Sequence, residues 1–432
     1  MQEVRVRVYK SKELPLNWFK RQQVDQKDSA DLEASVKAIL NQVKKDGDKA
    51  LIEFACKFDK ATLTPNTLKV TVDEVKEAYQ KVTQEQIKAI EFMNARVSAF
   101  QKQLLNQKET KFFNEEITVR TVLQPIESVG CYVPGGQAAY PSTVVMTALP
   151  AKIAGVPRIV VCSPSDAQGK VNPLVLVASD ICGVNEIYKV GGAQAIAALA
   201  YGTQTIAAVQ KIVGPGSKYV TMAKVLASTD VAIDMPAGPS EVLILADESA
   251  DPALIAYDMI SQAEHGTDSV AGLITTSQKL SEVVQDNLSK LAPDSPRSEK
   301  VVNSLTKYGF IITCESLNEA VKLTNDFAAE HLEVITENAA QLAEKLVAGL
   351  ILIGSYSPVA LSDYASGTNH VLPTGSFAKA FSGLSAIDFM RRVSIAECSK
   401  AGLEKVRKPV KVLTDTEDLP NHYRAVEARF TQ

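Results

Sequence analysis

Histidine is scarce in this sequence. Among 432 residues there are four, His265, His331, His370 and His422, and none lies before residue 265. Any imidazole chemistry must use one of them. A basic excess is also lacking: Lys+Arg total 46 against 50 Asp+Glu, a net charge of −4. Nothing in that balance drives binding to nucleic-acid phosphates. No uninterrupted apolar run reaches the ~18 residues of a membrane-spanning helix. The opening MQEVRVRVYK has no apolar core of a secretory signal. The six cysteines, Cys56, Cys131, Cys162, Cys182, Cys314 and Cys398, are widely and irregularly spaced without C-x-x-C. That argues against a disulfide framework or a cysteine zinc site and fits free thiols in a reducing cytoplasm. No G-x-x-x-x-G-K-[ST], no complete G-x-G-x-x-G and no H-E-x-x-H occurs.

What is present is globular composition, 46% hydrophobic and 22% charged, in a length that suggests roughly two to three domains. The first 110 residues read as mostly helical. Leu32, Val36, Leu40 and Val43 recur at helical spacing, and Ile87, Ile90, Met93, Val97 and Phe100 form a second stripe, read as core packing. A short strand, Leu68–Val72, is expected between them. From Ile117 the texture alternates. Apolar strands are expected at Ile117–Leu123, Arg158–Cys162, Glu186–Val190, Lys211–Val213, Val231–Asp234, Glu241–Ala246, Gly272–Thr276, Gly309–Cys314 and Leu350–Gly354. Helical patterns separate them, and IAGVPRI at Ile153 echoes ICGVNEI at Ile181 with Gly155 and Gly183 as helix C-caps. Strands alternating with helices mean a mainly parallel α/β sheet. The charged tail holds one further strand candidate, Val410–Leu413, and is too short for a core of its own.

Three glycine-bearing loops follow strands and lead into helices: Val133–Thr143, Val190–Ala198 and Val213–Val220. Such turns offer backbone N–H groups to phosphate. They equally serve as tight turns needing positive φ. Gln262 and His265 are three apart on a helix expected over Pro252–His265, so they share a face. An amide oxygen and an imidazole suit a metal cation, although a surface or capping histidine has the same spacing. Glu330 and His331, expected at the end of a helix over Leu317–Ala329, would diverge by about 100° and approach one centre from two sides; both are natural general bases. Asp363 and His370 flank a glycine-containing loop, and His422 lies near Glu417 and Asp418. Asp, two His and Gln would make an open N/O site suited to a catalytic or substrate-holding zinc.

The long motifs GCYVPGG with YPSTVVM, KVGGAQAIAALAYGT, KIVGPG, DMPAGPSEVL, SQAEHG, AEHLEV, YSPVALSDYASGTNHVLPT and HYRAVEAR closely resemble the histidinol dehydrogenase family. The resemblance runs from about Asp31 to the C-terminus. It implies an NAD-dependent, zinc-containing alcohol and aldehyde dehydrogenase of histidine biosynthesis, oxidising L-histidinol to L-histidine through the aldehyde with reduction of two NAD⁺. It further implies one zinc per subunit on Gln262, His265, Asp363 and His422, and an acid/base pair, Glu330 and His331. Substrate contacts would come from Ser240, Gln262, His265, His331, Asp363, Glu417 and His422, and NAD contacts from Tyr132, Gln194 and Ser217. Ser217 stands where the family usually has Asn, Ala329 where it has Pro, and Val270 where it has Gln.

The fold so implied is α/β, with two Rossmann-like parallel-sheet domains of incomplete type and small N- and C-terminal dimerisation segments. The expected division is an N-terminal arm, 1–25; a discontinuous substrate and zinc domain, 26–128 with 240–382; a nucleotide-side domain, 129–239; and a dimerisation tail, 383–432. A cytoplasmic homodimer is implied, its sites completed by the partner's tail, with neither nucleic acid nor membrane as partner. Competing readings are a related dehydrogenase of another alcohol, such as a sulfonated diol, a zinc hydrolase, and a non-enzymatic nucleotide-binding module.

Overall fold

The computed structural model describes residues 4–15, 18, 26–106, 111–114, 116–135, 139–235 and 238–431. In chain order its strands are β1 (Arg7–Lys10), β2 (Lys111–Asn114), β3 (Ile117–Pro125), β4 (Ser128–Tyr132), β5 (Arg158–Cys162), β6 (Glu186–Tyr188), β7 (Lys211–Val213), β8 (Ala232–Ile233), β9 (Glu241–Ala246), β10 (Val270–Thr275), β11 (Phe310–Thr313), β12 (His331–Ile335), β13 (Leu350–Ile353) and β14 (Met390–Cys398). They form two parallel sheets, ordered β6-β5-β4-β7-β8 and β1-β11-β10-β9-β12-β13, and a small antiparallel sheet, β14-β3-β2. Both parallel sheets are wound the same way. Three consecutive strands run outward from β4 or from β9, and the chain then returns to the other side of that strand with β7 or β12. The order therefore reverses between β4 and β7 and between β9 and β12, where open α/β sheets leave a crevice.

Local chemistry explains most boundaries. Helices Pro141–Ala154, Pro173–Ile181 and Pro252–Ala263 begin with proline, whose missing N–H costs a first turn nothing. Thr71 and Thr83 accept N–H bonds at the starts of Val72–Lys81 and Gln84–Leu105, with Glu74 and Gln86 closing capping boxes. Gly155, at φ 85°, caps Pro141–Ala154, and Gly183 adopts φ 71° after the corresponding second helix.

Each parallel sheet is covered on both faces. Helices Gln26–Asp46, Gly192–Tyr201 and Lys218–Ala227 share a core with one face of the first sheet. Val72–Lys81, Gln84–Leu105, Pro141–Ala154 and Pro173–Ile181 share a core with the other. Around the second sheet, Pro252–Ala263, Gln278–Leu291 and Ser298–Tyr308 pack on one face and Leu317–Phe327 on the other.

Several elements differ from the sequence reading. The helices between residues 26 and 105 bury their apolar stripes against the first sheet, in cores that also take in Val371, Leu384 and Phe389. The N-terminal strand β1 instead pairs with β11 in the second sheet; residues 1–3, 16–17 and 19–25 of the arm lie outside the described residues. Leu68–Val72 makes only an isolated bridge, Lys69 to Tyr188, because Thr71 is already a helix cap. Val410–Leu413 lies inside the helix Lys400–Thr416. The local alternation V-K-V-L is overridden by Leu403, Val406, Val410 and Leu413, which fall on one helical stripe. Among the described residues no helix is long and apolar enough to cross a membrane.

Candidate active site

The acid/base candidates stand at the amino edge of the second sheet. Ser240 immediately precedes β9, Glu330 precedes β12, and His331 opens β12 opposite Val242. Glu330 and His331 thus enter a strand and do not end a helix: Leu317–Phe327 stops at Ala328, which adopts the left-handed conformation at φ 48°. The helix Pro252–Ala263 runs back from the far end of β9 and returns Gln262 to this edge. His265 lies just beyond the helix end, its N–H donating to the Gln262 carbonyl at 3.3 Å. The short helix Val359–Tyr364, which follows β13, brings back Asp363.

His331 is the centre of the cluster. Its Nδ1 lies 3.7 Å from Glu330 Oε2 and its Nε2 lies 3.6 Å from Asp363 Oδ1. Both ring nitrogens, Asp363 Oδ1 and Gln262 Nε2 are buried without a hydrogen-bond partner among the described residues. Buried polar atoms are normally satisfied, so four unsatisfied atoms on three side chains mark a place for a polar ligand. Glu330 is held from behind: the Glu241 N–H donates to its Oε2 at 2.8 Å, and its own N–H donates to Glu241 Oε2 at 3.3 Å. Glu241 Oε1 also accepts the Gly375 N–H.

The electrostatics follow from this crowding. Burial pushes the Glu330 carboxyl up to about 7, with Glu241 and Asp363 adding and His331 opposing. Burial would lower His331, but Glu330 and Asp363 outweigh it and hold the imidazole above its ordinary range. Burial would raise Asp363, yet His331, His370 and His265 bring it down. His265 and His370 are lowered, chiefly by burial, and so favour the neutral imidazole that a metal requires. His370 interacts with Asp363, His331 and His265 and so belongs to the same cluster.

The fit to a metal is partial within one chain. Gln262 has an amide oxygen to offer, Asp363 an unsatisfied carboxylate oxygen, and His265 an imidazole shifted toward its neutral form, a donor set of the right kind. No group of three or more His, Cys, Asp or Glu among the described residues is placed to hold a metal ion. His422 and Glu417, both expected at this site, are exposed on the C-terminal segment.

The nucleotide candidates lie on the first sheet, at its carboxyl edge beside the β4/β7 crevice. The Gly192 N–H, at the start of a helix, donates to the Tyr132 hydroxyl at 3.0 Å. Gln194 is buried and folds back so closely that a Cβ on Gly192 would meet its Oε1 at 2.7 Å. The third loop reaches the same ring: a Cβ on Gly216 would come within 3.1 Å of Tyr132 Cε1. Ser217 is the exposed residue before the next helix, and its side chain makes no capping bond. Tyr132, Gln194 and Ser217 therefore border one crevice. Residues 136–138 and 236–237, within two of the sequence motifs, lie outside the described residues.

The two edges meet. Asn369 Nδ2, beside His370, donates to the Met146 carbonyl of Pro141–Ala154 at 2.7 Å. Burial raises Tyr364, and Asp363, Glu264 and Tyr140 add to it; Tyr140 introduces that same helix. Ligands in open α/β sheets ordinarily sit at carboxyl ends. Here the carboxyl end of one sheet faces the amino end of the other.

Sequence reasoning did not find Glu241, Glu333 with its neighbour Asp258, or the Lys224–Asp234 ion pair. The available signal was a carboxylate inside an otherwise apolar strand, EVLILA and HLEVI, since burying such a group costs unless it is paired.

A family model described as histidinol dehydrogenase matches residues 21–430. A Nostoc sp. protein called histidinol dehydrogenase 2 is 45% identical over 401 residues, 93% of each chain. A histidinol dehydrogenase of Methanosarcina mazei is 43% identical over 405 residues, covering 93% of this chain and 92% of that one. The crystal structure of histidinol dehydrogenase from Elizabethkingia anophelis superposes with a TM-score of 0.92 at 34% identity, covering 100% of this chain and 99% of that one.

Proposed function

The chain belongs to the histidinol dehydrogenase family, and from that premise we propose how its residues carry out the NAD-dependent oxidation of L-histidinol to L-histidine. The sulfonated-diol, hydrolase and non-enzymatic readings find no support among relatives named for histidinol. The observation that carries the mechanism is His331 between two carboxylates, with its ring nitrogens unsatisfied.

Gln262, His265 and Asp363 hold one zinc per subunit, with His422 arriving from the partner of a homodimer. When bound, zinc would supply a Lewis acid that positions the substrate, and NAD would supply the hydride acceptor. His331, neutral, removes the hydroxyl proton in the first oxidation. The aldehyde stays in place. Glu330, ionised, takes a proton from water as its oxygen adds to the aldehyde carbon, the protonated His331 gives its proton to the resulting alkoxide to complete the hydrate, and His331, neutral again, acts as base in the second oxidation. Tyr132, Gln194 and Ser217 hold the nucleotide across the first sheet, and Ser240 and Glu417 contact the substrate. The nucleotide-side unit is the sheet β4–β8, and 240–382 forms the substrate and metal side. Six unpaired cysteines suit work in the cytoplasm.

The test is zinc binding by the metal-stripped chain. One zinc per subunit should bind, and His265→Asn should lower both that occupancy and NADH formation. Full zinc occupancy in the variant, by elemental analysis, would remove His265 from the donor set.

A further inference from the structure

One acidic pair, the buried Glu333 and the half-buried Asp258, has no part in the chemistry above. Glu333 lies on β12, two residues beyond His331 and on the same face of the strand, and it is 2% exposed. Its Oε1 accepts the Val359 N–H at 3.0 Å, the first residue of the helix that carries Asp363. Its side chain also faces the Asp258 carboxyl, close enough for a hydrogen bond only if one of the two is protonated, and Asp258 lies one turn before Gln262 in Pro252–Ala263. Yet Glu333 Oε2 has no donor among the described residues. Two ionised carboxylates cannot hydrogen-bond to one another, because both only accept. A proton on one of them supplies the missing donor.

We propose that Asp258 and Glu333 share one proton, and that this acid–carboxylate bond is a positioning device tying together the three elements that carry His331, Gln262 with His265, and Asp363. The neighbours on either side of Glu333 within the sheet are Ile244 on β9 and Leu352 on β13, both apolar. Burial raises both carboxyls, Asp258 to about 6 and Glu333 well above its ordinary range. Asp258 is the titratable group that acts on Glu333 from a packed element, and the Val359 N–H opposes the rise. The tie is more than packing, since β12, the helix Pro252–Ala263 and the helix Val359–Tyr364 each present one polar group to the same point. Its loss would let the donors drift apart without removing any of them.

This inference rests on the reading that Gln262, His265 and Asp363 hold zinc. Its test compares Glu333→Gln, which keeps a donor in place of the proton, with Glu333→Leu, which removes it. Zinc affinity is read on the metal-stripped chain with zinc alone, by competition with a fluorescent indicator. The Michaelis parameters with histidinol and the thermal midpoint are read on the same samples. Glu333→Gln should stay within about threefold of the parent in zinc affinity and kcat, the equivalent of ~0.7 kcal/mol. Glu333→Leu should lose about tenfold or more in both and also lower the thermal midpoint, because it leaves the Val359 N–H without its acceptor and Asp258 without its partner; Asp258→Leu with Glu333→Leu, which removes both acids, should recover part of the midpoint without recovering zinc affinity or kcat. A leucine variant with parental zinc affinity and kcat overturns the proposal. So does a double variant whose zinc affinity and kcat return along with its midpoint, or a glutamine variant as impaired as leucine. If the parent chain itself binds no zinc, the metal assignment fails instead.

Discussion

Glu330 shows how much one side chain's surroundings decide. Its carboxyl, moved from 4.5 to about 7 by burial, activates water only when ionised. Oxidation of added histidinaldehyde should therefore rise with pH through about 7 and level off above it. Stability runs the opposite way: a carboxyl raised in the folded state stabilises fully below its unfolded value near 4.5 and loses that contribution as pH passes about 7. Glu330→Gln should slow aldehyde oxidation by about 10²–10⁴ and alcohol oxidation far less; single-turnover rates for the two substrates measure this, and equal losses would remove Glu330 from the hydration step. Gly214 decides a backbone matter. It adopts φ 119°, and a Cβ there would collide with the Tyr132 carbonyl oxygen. Gly214→Ala should cost about 1–3 kcal/mol and weaken NAD binding in titrations, since the loop it forms borders the nucleotide crevice.

At the scale of elements, ion pairs bind helices to sheets. Lys224 and Asp234 form a pair of 2.6 Å with side chains 2% and 1% exposed. Asp234 accepts the Gly214 N–H, and Lys224 donates to the Gly214 carbonyl. Lys224→Met leaves a buried carboxylate alone and should cost about 3–5 kcal/mol in denaturant unfolding; adding Asp234→Asn should recover part of it. Glu74, a capping residue, accepts from Lys189 at 2.7 Å and Lys170 at 3.0 Å. Burial would raise it, but these bonds bring it down to about 2. A depressed carboxylate contributes above its unfolded value and loses that contribution as pH falls toward 2, so the stability gap between parent and Glu74→Gln should close across that acid range.

Elements with strong local chemistry were legible in the sequence. Arg158–Cys162, Lys211–Val213 and Glu241–Ala246 fall where their apolar runs placed them. Val410–Leu413 and the setting of Glu330–His331 did not. The first is four residues, too short to distinguish a strand from a stripe, and the second depends on a left-handed Ala328 that nothing local demands. Which sheet the early helices cover was likewise invisible, because an apolar stripe does not name its partner.

At the scale of the molecule, two sheets wound alike present opposite ends to one another, and the C-terminal segment completes neither. That segment pairs β14 with β3 and then forms two helices, in which Val412 and Leu413 are 56% and 60% exposed. An apolar face of this kind seeks cover, and a partner subunit would supply it while receiving His422. Mixing His331→Asn with His422→Asn subunits should then restore activity, since each mixed dimer contains one undamaged site. No recovery after confirmed subunit exchange would place His422 outside the shared site. Histidine scarcity is part of the same picture. His265, His331 and His370 act on one another electrostatically, and the fourth lies on the segment proposed to cross.

The central claim is that one site carries both oxidations without releasing the aldehyde. The direct measurement is the ratio of NADH to L-histidine formed from L-histidinol in the presence of an aldehyde trap. Two NADH per histidine with no trapped aldehyde is expected; one NADH per histidinol consumed, with the aldehyde captured by the trap, would contradict it.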